Sequence, residues 1–418
     1  MPRTIRKLGT VMTAVAAGFL TFSLVLYPEE ALQAAVEGMG LFWKIVFPSL
    51  LPFFVLSEVL LGLGLVHFVG VLLEPLMRPV FNVPGVGAFA MSMGLAAGYP
   101  MDAVITGKFR RKGMCTRIEG ERLLAFTNTA DPLFIFGAVA VGMFGLAKLG
   151  VVLGVAHYLS SFTVGFIFRF YRYGERGSDQ VAGREEGNLL RRAARTLLRA
   201  RKEDGRPFGR LLGEAVRESI ATLLMICGFI MLFSVLVRIF TVFGVMRLIT
   251  PLVAACLGTI GLSPSLVPAV LRGLLEIDLG TVAASVAAAP LLQRAVIASA
   301  VIAWSGLSVH GQVASVLTGT DIRMGPYVFA RFCHAILAGL YTFAILAMMP
   351  LETAGRFEFL LIKGWPGVGI IQRFVLAGWQ LALSLGGLIA VACLLRICGR
   401  YRLVWLRTKR LPARSASR

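Results

Sequence analysis

The chain has 418 residues, of which 57% are hydrophobic and 15% charged, with a mean hydropathy of +0.79. A soluble domain carries roughly a quarter charged residues, so a water-soluble globule is excluded, and so is disorder, since apolar surface is abundant. The net charge of +20 is confined to four short polar stretches, 1–7, 108–122, 169–210 and 396–418, which hold 29 basic and 8 acidic residues against 13 and 14 in the rest of the chain. That is the positive-inside pattern of a polytopic membrane protein, not the basic fold of a nucleic-acid binder.

In chain order, the first apolar run, 8–27, follows Arg3, Arg6 and Lys7 without a small-residue cleavage site, and reads as a retained first helix with a cytoplasmic amino terminus. The stretch 28–37, with Glu29, Glu30 and Glu37, is expected as an outer loop. Next comes a crossing at 38–62, kinked by Pro48 and Pro52. A short apolar segment, 64–78, is expected at the inner interface, and 84–106, rich in Gly and Pro, as a re-entrant segment. Crossings follow at 122–145 and 148–168, then a basic cytoplasmic loop at 169–210. The second half is read as a crossing at 219–243, an outer interfacial segment at 244–257 and a re-entrant segment at 262–290. Crossings at 293–316, 326–349 and 368–395 lead into the basic cytoplasmic tail 396–418. This makes an all-α polytopic membrane protein with about eight transmembrane helices, and places every basic stretch on one side.

The two halves resemble each other at an offset of 172–176 residues: Leu-Leu-Glu-Pro-Leu-Met at 72–77 parallels Leu-Ile-Thr-Pro-Leu-Val at 248–253, and each leads through a Gly/Pro-containing stretch to an arginine, Arg122 or Arg294, expected to open a polar-interrupted helix. Opposite starting directions make the repeats inverted, the arrangement of transporters whose site lies between broken helices. A duplicated helical scaffold without a pathway is the alternative.

Polar groups at membrane depth face a cavity or one another. Thr127, Asn128, Thr129 and Asp131 stand in the middle of the 122–145 block, where Pro132 interrupts the helix and is expected to free them to line a site. Ser305, Ser308, His310 and Gln312 hold the corresponding place in the second half. Arg272 is the candidate partner for a substrate carboxylate, with Glu276 expected beside it as an i,i+4 ion pair, together with Asp278. The six cysteines lack CxxC pairing and the four histidines lack metal-ligand spacing, so no metal or cofactor is expected, and no arrangement of catalytic residues points to an enzyme.

The runs VFPSLLPFFVLSEVL (46–60), VLLEPLMRPVFNVPGV (71–86), Gly-Tyr-Pro (98–100) and FTNTADPLFIFGAVAVGMF (126–144) resemble a family of sporulation integral membrane proteins within the nucleoside-recognition, or Gate, group. The resemblance implies two Gate repeats, 38–168 and 211–349, flanked by a first helix with its outer loop (1–37) and by a segment 350–395 with the last helix. It further implies a place in the bacterial cell membrane, at the outer forespore membrane, and export of dipicolinic acid, a small anionic solute, from the mother cell into the intermembrane space. A nucleoside-like solute and a non-transporting role in spore-envelope assembly remain open, as does a homo-oligomer. One departure is Asp102, where a small residue is expected; a carboxylate beside an anion path has to be paired or protonated.

Overall fold

The computed structural model describes residues 3–174 and 189–348, and within them the protein is helical without a strand. The expected last crossing at 368–395, the segment 350–395, the tail 396–418 and residues 175–188 of the basic loop lie outside the described residues.

Helix α1 (Arg3–Leu26) is followed at once by α2 (Pro28–Leu41), so the expected outer loop is helix instead. The reason is local: Pro28 stands at the first helical position, where its missing N–H is no loss, and Glu29 and Glu30 sit in the first turn, complementing the helix dipole. A π-helical stretch at 42–46 then leads into α3 (Phe47–Gly62), and the axes of 28–46 and 50–62 differ by 58° around Pro48.

Gly64, at φ +84°, starts α4 (Leu65–Leu76), which runs into a π-helical stretch at 77–81. A hairpin of two short helices comes next, α5 (Gly87–Ala97) and α6 (Met101–Arg111). Helix α7 (Arg117–Thr127) begins at a capping box in which Thr116 and Glu119 bond each other's backbone N–H, and Arg78 donates to the same Glu119 at 2.5 Å. Arg122, expected to open this helix, lies in its middle, buried, and donates to the carbonyls of Asn82 and Tyr171. After a break at 128–132 the chain continues as a π-helix at 134–143 and α8 (Ala147–Phe168).

Helix α9 (Leu189–Asp204) is basic and amphipathic and is fastened to α4 by an ion pair between Arg192 and Glu74. The second half then follows the order of the first. A long helix α10 (Phe208–Val242) is followed by Gly244 at φ +75° and the proline-containing α11 (Val245–Thr259). A hairpin of α12 (Val267–Leu275) and α13 (Ile277–Val286) leads to a helix broken at Ser305 into α14 (Leu291–Trp304) and α15 (Gly306–Val316), and to the long α16 (Met324–Met348).

By length and composition, α8, α10, α14 with α15, and α16 can each cross a bilayer, and the bent pair 28–62 makes a fifth candidate; Ala17–Leu26 and the π-helix 134–143 are shorter apolar helices. The main core lies between the halves, where Ile135, Leu149 and Leu153 of the first join Ala284, Ala298 and Ile302 of the second. Elsewhere the large exposed side chains are apolar (Phe162 and Phe166 on α8, Phe329 and Phe343 on α16), as lipid-facing surfaces must be.

Candidate functional site

Each half brings its hairpin tip against its own broken helix, and glycine makes the approach possible. Gly98 turns from α5 into α6 at φ +63°, and a Cβ there would stand 2.7 Å from Asp131 Oδ2. In the second half Gly306, at φ +77°, lies on the backbone of Glu276, with only 2.9 Å between a Cβ and the Glu276 Cα. The halves are then tied across: the Tyr99 hydroxyl, at the first hairpin tip, donates to the Ile302 carbonyl of α14 at 3.1 Å.

Between these four elements lies a cavity of about 70 Å³, room for a few waters. Its polar wall consists of Tyr99 and Asp131 from the first half and Glu276, Asp278, Ser308 and Gln312 from the second; α3 and α10 close it with apolar side chains, including Phe54 and Phe229. Among the described residues, three carboxyl groups and no lysine or arginine line it.

Two of the three carboxyls are held by their local backbone. Asp131 Oδ1 accepts from the N–H groups of Leu133 and Phe134 at 2.9 and 2.8 Å, capping the helix that resumes at Pro132. Glu276 Oε2 accepts from Leu279 N–H at 2.9 Å, the same capping role at the start of α13. Asp278 stands in the first turn of α13, 3% exposed.

The break at 128–132 is held from behind by two long helices. From α8, His157 Nε2 accepts from Ala130 N–H at 3.1 Å, Tyr158 donates to the Ala130 carbonyl at 3.0 Å and Ser161 donates to Phe126 O. From α16, Tyr327 donates to Asn128 Oδ1 at 2.8 Å, while Arg331 donates to the carbonyls of Asn128 and Ala125. Backbone groups freed by Pro132 are thus satisfied by side chains, as the interior of a bilayer demands.

The nine residues expected at the site separate into three groups. Asp131, Ser308 and Gln312 line one cavity. Thr127, Asn128, Thr129, Ser305 and His310 are buried behind it. Thr127 and Asn128 both donate to Asp102, at 3.1 and 2.7 Å, so Asp102 is paired and the amide of Asn128 is fully engaged rather than free. The Thr129 hydroxyl turns back to the Thr127 carbonyl and that of Ser305 to the Trp304 carbonyl, while His310 is packed between Trp304 and Tyr327 with Nδ1 at the Gly306 carbonyl.

Arg272 stands apart. It is exposed and borders a different crevice, beside Val237, Thr241 and Thr250, and no ion pair joins it to Glu276. The i,i+4 expectation fails because α12 ends at Leu275 and Glu276 is extended, at φ −149°, so the two side chains leave the shared helical face.

Arg331 escaped the sequence reading. It is fully buried in the middle of an apolar 25-residue helix, and that isolated charge was the available signal.

The Gate family model, described as nucleoside recognition, matches residues 43–156, which span the first hairpin, the break at 128–132 and the wall residues Tyr99 and Asp131. The sporulation integral membrane protein YlbJ of Bacillus subtilis (strain 168) is 40% identical over 399 residues, 93% of this chain and 95% of that protein. No solved structure matches.

Proposed function

The chain belongs to the family of the sporulation integral membrane protein YlbJ, and from that membership together with the cavity we propose that it is a transporter of a small solute, acting as a carrier between its two halves. The observation that carries this reading is the convergence of two hairpin tips and two helix breaks on one partly open cavity in the main core, apolar over most of its lining but with a polar wall. A scaffold has no use for buried carboxyl groups around a cavity, whereas carriers place such groups at the junction of two repeats. The likeness in element order supports treating residues 28–168 and 208–348 as repeats, inverted in the membrane, with the basic stretches on the cytoplasmic side.

The solute we propose is dipicolinic acid, moved from the mother cell across the outer forespore membrane into the intermembrane space. An anion in this cavity meets Asp131, Glu276 and Asp278 without a basic side chain on the wall, so its passage requires protons to accompany it. The same lining favours a second reading, a neutral nucleoside-like solute held by hydrogen bonds, in line with the description of the matched family.

Uptake of labelled dipicolinate into proteoliposomes containing only this protein tests the proposal. Accumulation well above protein-free vesicles, unaffected by excess nucleoside, is expected. Uptake of nucleoside alone would favour the second reading, and movement of neither would leave the assembly role in possession.

A further inference from the structure

The Glu276–Asp278 pair has a chemistry of its own. Glu276 and Asp278, each 3% exposed, stand two residues apart at the start of α13 and both line the cavity. Carboxylates have acceptors only, and two of them brought together away from water favour a proton on one. Asp278 Oδ1 has no donor among the described residues. Independently, the Ser308 hydroxyl, on α15, lines the same cavity at 2% exposure and is also without a hydrogen-bond partner among the described residues.

Among the described residues no fixed positive charge lines the cavity. Helix α13 packs against α10, α12, α14 and the π-helix 134–143. Toward the cavity α10 presents Ile226 and Phe229, and the π-helix has no titratable residue, with Asp131 just ahead of it. On α12 Arg272 points to the other crevice, and on α14 Arg294 donates to the Ala284 carbonyl, near the far end of α13. His310 on α15 and Tyr99 at the first hairpin tip complete the titratable groups nearby.

We propose that Glu276 and Asp278 form a proton-binding site opening on the solute cavity, through which a proton accompanies the solute. The coupling rests on the transporter reading above; the site does not. The balance is simple: hydronium on one side gives its proton to an Asp278 carboxylate oxygen, leaving water. The O–H bond then breaks toward water on the opposite side, restoring the carboxylate and forming hydronium there.

Infrared pH-difference spectra of the purified full-length protein in nanodiscs read the site directly. The wild type is expected to show a protonated-carboxyl band that disappears in Asp278→Asn and survives in Asp131→Asn and Asp102→Asn. Glu276→Gln removes the neighbouring like charge, and is expected to lower the midpoint of the band by about 1 pH unit or more. Absence of the band in the wild type, or its survival in Asp278→Asn with Glu276→Gln unshifted, overturns the proposal.

Proteoliposomes read the coupling. An acid-side pH gradient is expected to speed dipicolinate uptake at least tenfold in the wild type, and monodisperse Asp278→Asn is expected to lose that response to pH. Uptake that follows a sodium gradient and ignores pH overturns the coupling. No dipicolinate movement by a wild type that shows the band would refute the substrate reading and leave the proton site standing.

Discussion

Asn128 is where sequence and structure make opposite demands, and substitution by alanine separates them. Its amide donates to Asp102 on α6 at 2.7 Å and accepts from Tyr327 on α16 at 2.8 Å, joining elements that are 26 and 199 residues away in the chain. A hydrogen bond to an ionised group contributes about 1.5–3 kcal/mol and a neutral one about 0.5–1.5, so losing both costs about 2–4.5 kcal/mol. Tyr327→Phe removes only the second bond and leaves the amide oxygen without its donor, at about 1–2 kcal/mol. Asn128→Ala is therefore expected to lower membrane abundance and the melting temperature in detergent, Tyr327→Phe to do so less, and the double variant to fall short of the sum because one bond is removed twice. Fluorescence-detected size exclusion after heating measures all three. If Asn128→Ala melts with the wild type and only transport is lost, the amide is a solute ligand and its role as a tie is wrong.

Gly98→Ala places a Cβ 2.7 Å from Asp131 Oδ2 at a left-handed backbone position, and immunoblotting of membranes should show a several-fold loss of protein; Gly113→Ala, also left-handed at φ +69° but in open space, should lose far less. Burial pushes the Cys115 thiol up to about 12, so it should stay unmodified by maleimide at neutral pH, while Lys112→Cys, exposed in the same turn, should be modified only by reagent reaching the cytoplasmic face. Modification of position 112 from outside intact cells would invert the topology.

What could be read from sequence was whatever depends on neighbours in the chain. Pro132 lacks the donor that a helix interior needs; the helix stops at Thr127 and resumes with Pro132 in its first position, where no donor is required. The polar run from Ser305 marked the second break correctly, although the backbone turns there through Ser305 at φ +69° rather than through an unwound stretch. The segment 28–37 was misjudged because three glutamates were weighed as loop composition, when Pro-Glu-Glu is equally the start of a helix. Arg272 and Glu276 failed for a related reason, since their pairing assumed a continuous helix through a residue that ends one.

Whether a buried polar residue is a ligand or a tie depends on partners the sequence does not place beside it. In the first half the polar run at 127–131 is almost wholly consumed by Asp102, His157, Tyr158, Tyr327 and Arg331, which leaves only Asp131 facing the cavity. In the second half Asp278 at the hairpin tip and Ser308 on α15 keep oxygens without a partner among the described residues at the cavity wall. Unsatisfied buried oxygens are costly unless something visits them. Two halves built in the same order therefore differ in kind. The first is braced by α8 and α16, and the second keeps unpartnered oxygens on the cavity wall, so on the proposed carrier reading substitutions at 127–130 should act on stability and those at 276–278 on transport.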